Sequence, residues 1–149
     1  MNSDFNVAVH ALVYLDHKAC TLSSEELAEN ICTNAARVRK VMSKLRKDEL
    51  VSSAEGAVGG YALARPGSDI HLDEVASAIG GSFVTCAWRS GNADMECLVA
   101  SGMGKVMDDI YADLDRQCMD RMHESTIGSI TARLFGEETP PEASAATAA

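Results

Sequence analysis

Long apolar runs are missing from this chain of 149 residues. Nothing in it approaches the ~20 apolar residues of a membrane-spanning helix, so no membrane partner is expected. Aromatic residues are scarce, at 5%. The opening residues, Met1-Asn2-Ser3-Asp4-Phe5, lack the basic region of a secretory leader, which points to the cytoplasm. The cysteines Cys20, Cys32, Cys86, Cys97 and Cys118 are odd in number, and read as thiols rather than as a disulfide framework. No phosphate-binding loop, His-Glu-x-x-His run or nucleophile elbow occurs, so nothing supports an enzyme. There is no internal repeat. The length suits one domain, or one domain with an appendage, and 46% hydrophobic residues are ordinary for a globular chain.

Acidic charge is absent from one place where it matters. The net charge of −9 argues against a nucleic-acid partner until it is mapped. Residues 33–47 hold Arg37, Arg39, Lys40, Lys44, Arg46 and Lys47 without an acid, against seven bases and 22 acids elsewhere. Phosphate binding follows the field at the contact face, while bulk negative charge weakens non-specific association. The bland reading is a solvated helix face, the usual fate of a charge run.

Periodicity organises what is present. Phe5, Ala8, Val9, Leu12 and Leu15 form one stripe of a helix over about residues 4–18. Ser23-Ser24-Glu25-Glu26 is a capping box that opens a short helix ending near Ile31. Cys32-Thr33 makes a tight turn, with Thr33 as the cap of a helix from Asn34 to about Lys47. In it, Val38, Val41, Met42 and Leu45 form a core face, and Arg37, Lys40, Lys44 and Lys47 line the opposite one. Residues 50–66 then read as two short strands about a Gly-rich turn. Helix, tight turn, basic helix and hairpin are the order of a winged helix-turn-helix.

After Pro66, residues 71–79 read as a short helix stopped by Gly80-Gly81. Residues 80–95 are loop-like, and Trp88 suits a packing anchor for that loop. From Glu96, the spacing of Val99, Met103, Val106, Met107, Ile110, Leu114, Cys118 and Met122 alternates three and four, as in a helix–helix seam. No second long helix exists to cover it, so a homodimer is expected. A last helix is expected over about 125–135. The expected fold is therefore mostly α with a small β-hairpin. Its parts are a winged helix-turn-helix in residues 1–80, a loop and dimerisation helix in 81–135, and a disordered tail in 136–149.

The runs Leu22–Glu29, Val41–Lys47, Leu50–Ser53, Gly59–Pro66 and Ile70–Val75 together resemble the Rrf2 family of bacterial winged-helix regulators. Gly59-Gly60-Tyr61-Ala62-Leu63-Ala64-Arg65-Pro66 is the most specific part. Val7–Leu12 and Asn92–Val99 are similar to the YwnA-like branch, which has a lone Cys before the long helix. The resemblance implies a homodimeric repressor on double-stranded DNA, with the third helix in the major groove and the hairpin at the adjacent minor groove. It implies a contact set of Ser3, Thr33, Asn34, Ala35, Arg37, Lys40, Lys44, Ser53, Gly59, Gly60 and Tyr61. Two acids depart from the family: Glu55 stands at the usual place of a wing Arg, and Asp4 where the branch often has a base. Glu55 opposes the negative potential of a minor groove. A winged-helix protein–protein regulatory module with weakened DNA binding is the alternative these acids keep open.

Cluster-binding members of the family carry three closely spaced cysteines between the wing and the long helix. Here only Cys86 and Cys97 stand there, and iron–sulfur clusters normally need four protein ligands. No cofactor is expected, with an iron–sulfur sensor as the alternative. Thiol redox sensing at Cys97 and then Cys86 is the remaining sensing chemistry, against a reading of both as small buried hydrophobes. Cys118 lies on the seam. His10, His17, His71 and His123 form no ligand pattern with the cysteines, so no metal site is expected.

Overall fold

A computed structural model describes residues 3–57 and 59–136. The expected tail, from 137 on, lies outside the described residues. The chain runs α1 (Ser3–Lys18), α2 (Ser24–Ile31), α3 (Ala35–Lys47), β1 (Val51–Ala54), β2 (Gly60–Leu63), a 3-10 turn (Gly67–Asp69), α4 (Leu72–Ile79), α5 (Leu98–His123) and α6 (Ile127–Phe135). The expectation of a mostly helical fold with one hairpin stands.

Local chemistry explains the boundaries. Ser23 Oγ accepts the Glu26 amide at 3.1 Å, and Glu26 accepts the Ser23 amide at 2.8 Å, closing the capping box of α2. α2 ends on Cys32 in the left-handed region (φ +60°). The cap of α3 is Asn34, a correction to Thr33. Asn34 has extended backbone and its Oδ1 accepts the Arg37 amide at 2.8 Å, while the Thr33 amide still closes α2 on the Ala28 carbonyl. The hairpin is antiparallel, from Val51 opposite Leu63 to Ala54 opposite Gly60. α5 begins at Leu98, two residues later than expected, with Cys97 as its cap.

The core gathers α1 to α4 and the base of the hairpin, with Leu12, Leu27, Val38, Met42, Leu45 and Ile70 fully buried. α1 buries more than one stripe, since Val7, Ala11 and Val13 are buried as well. The reason is α6, which returns to pack on α1 and on the 3-10 turn. Thr131 Oγ1 donates to Asp16 Oδ2 at 2.6 Å across that contact. The turn between α5 and α6 is stitched to the start of α4 by Leu72 N–H to the Ser125 carbonyl (3.0 Å) and Ile127 N–H to the Ile70 carbonyl (2.9 Å).

Candidate nucleic-acid interface

α3 buries Val38, Val41, Met42 and Leu45, which turns its bases outward, yet those bases are not equally free. Arg37 Nε and Nη2 donate to Asp4 Oδ1 at 3.2 and 3.1 Å, and Nη2 to Ser3 Oγ at 2.6 Å. Arg39 Nη1 donates to Glu25 Oε1 at 3.2 Å and to Ser24 Oγ at 3.1 Å. Arg46 Nη1 donates to Ser53 Oγ at 2.9 Å, tying α3 to β1. Lys40 and Lys47 are exposed and have no side-chain partner among the described residues. Lys44 is corrected from the free face. It is half-buried and its Nζ donates to the Ile79 carbonyl at 3.0 Å. That carbonyl ends α4, where unpaired carbonyls carry partial negative charge and attract a cation.

At the N-terminal end of α3, Asn34 is exposed, Thr33 is half-buried in the turn and Ala35 packs against the core. On the hairpin, Tyr61 exchanges both backbone hydrogen bonds with Leu22, at 2.8 and 2.9 Å, which docks the wing beside the start of α2. Gly60 is needed for that approach, because a Cβ there would stand 2.4 Å from the Leu22 carbonyl oxygen. Gly59 closes the wing turn on the Gly56 carbonyl at 3.0 Å. Ser23, Ser43, Arg46, Ser53 and Gly59 line a polar cleft between α2, α3 and the hairpin. Glu55 is exposed at its edge.

The loop from residue 80 to 97 runs along α5 in the opposite direction. Asp115 Oδ1 accepts the Phe83 and Val84 amides at 2.7 and 2.9 Å, and its Oδ2 accepts the Ser82 hydroxyl at 2.8 Å. The Val84 amide, then the Ser82 hydroxyl and the Phe83 amide, hold the Asp115 carboxyl below its ordinary value. Arg89 pairs with Asp108 at 3.1 Å and crosses α5 at Gly104, where a Cβ would stand 2.3 Å from Arg89 Nε. The Asn92 amide donates to the Ala100 carbonyl at 2.9 Å. Trp88 is not an anchor for this loop. It is 76% exposed, and the anchors are Asp115 and Arg89.

Val99, Met103, Val106, Ile110 and Leu114 form an exposed apolar row on α5, with Met107 and Cys118 half-buried, and Met103 and Met107 border the loop at Trp88 and Arg89. Cys97 is exposed at the head of the helix, and the Ala100 and Val99 amides lower its thiol below the usual range. A thiolate gains there from the unpaired amides of the first turn. Cys86 is exposed and its Sγ donates to the Trp88 carbonyl at 3.3 Å.

The family model described as Rrf2, iron-dependent transcriptional regulator, matches residues 1–133. The chain belongs to the Rrf2 family. YwnA of Bacillus subtilis, a candidate HTH-type transcriptional regulator, is 28% identical over 91% of this chain and 99% of its own length. The HTH-type transcriptional regulator IscR of Escherichia coli is 34% identical over 79% of this chain and 70% of its own. A crystal structure of a candidate transcriptional regulator from Lactobacillus plantarum superposes with a TM-score of 0.77 at 28% identity, covering 91% of each chain. This Rrf2 chain is a DNA-binding transcriptional regulator of the helix-turn-helix type, as its residues led us to expect. No helix among the described residues is long and apolar enough to cross a membrane.

Several residues that shape this Rrf2 surface carry little sequence signal. Asp115 and Arg89 are ordinary charged residues until the loop meets them. Gly104 did carry one: a glycine inside a helix costs about 1 kcal/mol against Ala, which flags a close approach. Asp4, which stands where the branch often has a base, pairs with Arg37 in its own chain.

Proposed function

We propose that this regulator acts as a cytoplasmic homodimeric repressor on palindromic double-stranded DNA, joined along α5. The observation that carries the reading is the apolar row on α5. Val99 is 68% exposed and Val106, Ile110 and Leu114 are 44–49% exposed, on a 26-residue helix that buries only Gly104. Pairing two such rows removes apolar area from water at about 25 cal/mol per Å². It also sets two α3 helices on one face, the arrangement that reads two half-sites. Residues 1–80 form the reading head in this view, residues 81–135 supply the joint, and α6 anchors that joint back on α1.

In each half-site, Thr33, Asn34 and Ala35 stand at the helix end nearest the base edges. Lys40 is the base ready for phosphate. Arg37 and Ser3 serve as a preset pair beside it, while Lys44 reaches DNA only by leaving the Ile79 carbonyl. Ser53, Gly59, Gly60 and Tyr61 bring the wing to the neighbouring groove, where Glu55 weakens the contact. Sensing is by thiol oxidation at Cys97 first and Cys86 second. Two cysteines in this region are too few for a cluster held as in three-cysteine relatives, and no catalytic step is assigned.

Sedimentation of the purified chain tests the assembly, with about twice 15.8 kDa expected. Sequencing of DNA selected by the protein should return two-fold symmetric sites with half-sites a whole number of helical turns apart. Lys40→Ala should lower the salt slope of binding by about one. Cys97→Ser should remove the response to peroxide. A stable monomer on asymmetric sites overturns the dimer, and an unchanged peroxide response in Cys97→Ser removes that thiol.

A further inference from the structure

Two histidines 52 residues apart in sequence meet where the reading head joins the long helix. His71 precedes α4, and His123 ends α5. The backbone bridge between His71 and Thr126 fixes both flanks. The two imidazoles stack, with centroids 4.4 Å apart and planes 12° from parallel. His71 Nδ1 lies 2.6 Å from the His123 carbonyl oxygen, and His123 Nδ1 lies 2.9 Å from Asp73 Oδ2. One ligand atom from each of His71, Asp73 and His123 lies within 4.8 Å of the other two. Asp73 Oδ1 is buried and has no hydrogen-bond partner among the described residues.

We propose that His71, Asp73 and His123 bind one divalent transition-metal ion of the zinc class. Two imidazoles and a carboxylate suit borderline ions such as Zn²⁺, Co²⁺ and Ni²⁺. Ca²⁺ and Mg²⁺ prefer oxygen alone, and soft ions prefer thiolate. Three protein ligands leave a coordination position for water. The His71 Nδ1 proton is held by a carbonyl, which leaves the Nε2 lone pair free, the outer support that metal-binding imidazoles commonly have. Without an ion, a proton links His123 to Asp73. A cation takes that place while the ring proton moves to the other nitrogen, so the neutral ring loses no net proton. Asp73 Oδ1 has no hydrogen-bond partner among the described residues, and such an oxygen is costly to bury.

The fit asks for modest movement. Zinc bonds of about 2.1 Å at tetrahedral angles place ligand atoms about 3.4 Å apart. The widest pair must therefore close by at most about 1.4 Å, and the stacked rings must turn so that both in-plane lone pairs meet one ion, within reach of rotamer changes in side chains that are half-buried or exposed. The flanking backbone is already pinned, so little chain order remains to be gained on binding. An occupied site stiffens the joint between α4 and α5. Resting on the dimer reading above, that joint sets how far apart the two heads stand.

Cobalt titration of the purified full chain, without DNA, tests the site. One equivalent of Co²⁺ should bind with visible d–d absorption and no thiolate charge-transfer band, and Zn²⁺ should displace it. His123→Ala and Asp73→Asn should each weaken binding by about 100-fold, the upper end of what losing even an outer-shell partner costs. Cys97→Ser should leave it unchanged. Zn²⁺ should raise the unfolding temperature of the wild type and of neither ligand variant. His123 is exposed and Asn keeps the shape of Asp, so both variants should fold, with circular dichroism as the check. Wild-type affinity in either ligand variant, a thiolate-dominated spectrum, or a wild-type Kd weaker than about 1 mM overturns the site. None of these outcomes bears on the DNA-reading proposal, which is tested by sedimentation and selection.

Discussion

The reading head and the long helix bury their apolar residues in different ways. Among the described residues, every buried hydrophobic side chain except Ile127 lies before residue 80. α5 is the longest helix, yet Gly104 is its only buried residue. One of its sides is occupied by the loop that Asp115 and Arg89 hold, and another shows Val99, Val106, Ile110 and Leu114 to water. The head therefore carries its own stability, whereas α5 leaves an apolar row that nothing among the described residues covers. Helices in proteins owe most of their stability to the packing of such a face.

That contrast is broken most directly from the head. Leu12 is fully buried in α1, and Leu12→Ala should cost about 2–5 kcal/mol through lost transfer energy and a cavity. Denaturant unfolding measures it, and the loss should be alike at low and high protein concentration. A cost under about 1 kcal/mol would mean the core collapses around the gap. On α5 the effect should be of another kind. Val106→Asp with Ile110→Asp should weaken self-association by about 100-fold or more, since each side chain is worth about 1.5–3 kcal/mol when fully buried. Sedimentation reads the change, and the circular dichroism of the head should stay native. Unaltered association would move the interface off this row.

The same contrast explains what was legible in the sequence. The elements of the head follow local rules: the Ser23 capping box, the α3 core spacing and the Gly59-Gly60 turn each sit where their chemistry puts them. The seam row of α5 was equally legible, because periodicity marks an apolar stripe whether or not anything covers it. The failures are contacts between distant segments. Thr33 and Asn34 both have capping side chains, and only the backbone of the preceding turn chose between them. Lys44 shares a helical face with Arg37 and Lys40, but α4 ends beside it and takes its charge. α1 looked amphipathic with one stripe because nothing local says that α6 returns to it. His71, Asp73 and His123 are scattered in sequence and meet only through the bridge between α4 and the α5–α6 turn.

A smaller effect should separate the loop from the helix it lies on. Asp115 has a lowered folded-state value from its two amide and one hydroxyl donors. A depressed carboxyl stabilises the folded form fully above its ordinary value of 3.8, and the contribution is lost as pH falls through the folded value. Hydrogen exchange at the Phe83 and Val84 amides should therefore stay slow at neutral pH and quicken below about pH 4, beyond the intrinsic rate change. Asp115→Asn should give quick exchange at neutral pH too. Equal protection in that variant would show the loop held by Arg89 and its other contacts.

The smallest expected change in stability lies at the edge of the head, where Asp4 of α1 pairs with Arg37 of α3. Asp4 holds Arg37 at 3.1 Å, with the two side chains 21% and 35% exposed. A pair this open is worth about 0–1 kcal/mol, so Asp4→Asn should barely alter unfolding. Its effect on DNA should be larger than its effect on folding. Asp4 neutralises one of the six bases of α3, and each cation that reaches a phosphate adds about one to the salt slope. Releasing Arg37 should tighten binding at low salt and steepen the slope by about one, the opposite sign to Lys40→Ala. The gain should shrink as salt rises, because screening shortens the reach of both charges. An unchanged slope with native stability would mean that Ser3 alone holds Arg37 off the phosphates. A shallower slope would mean that the Asp4–Arg37 pair is what positions Arg37 to meet them.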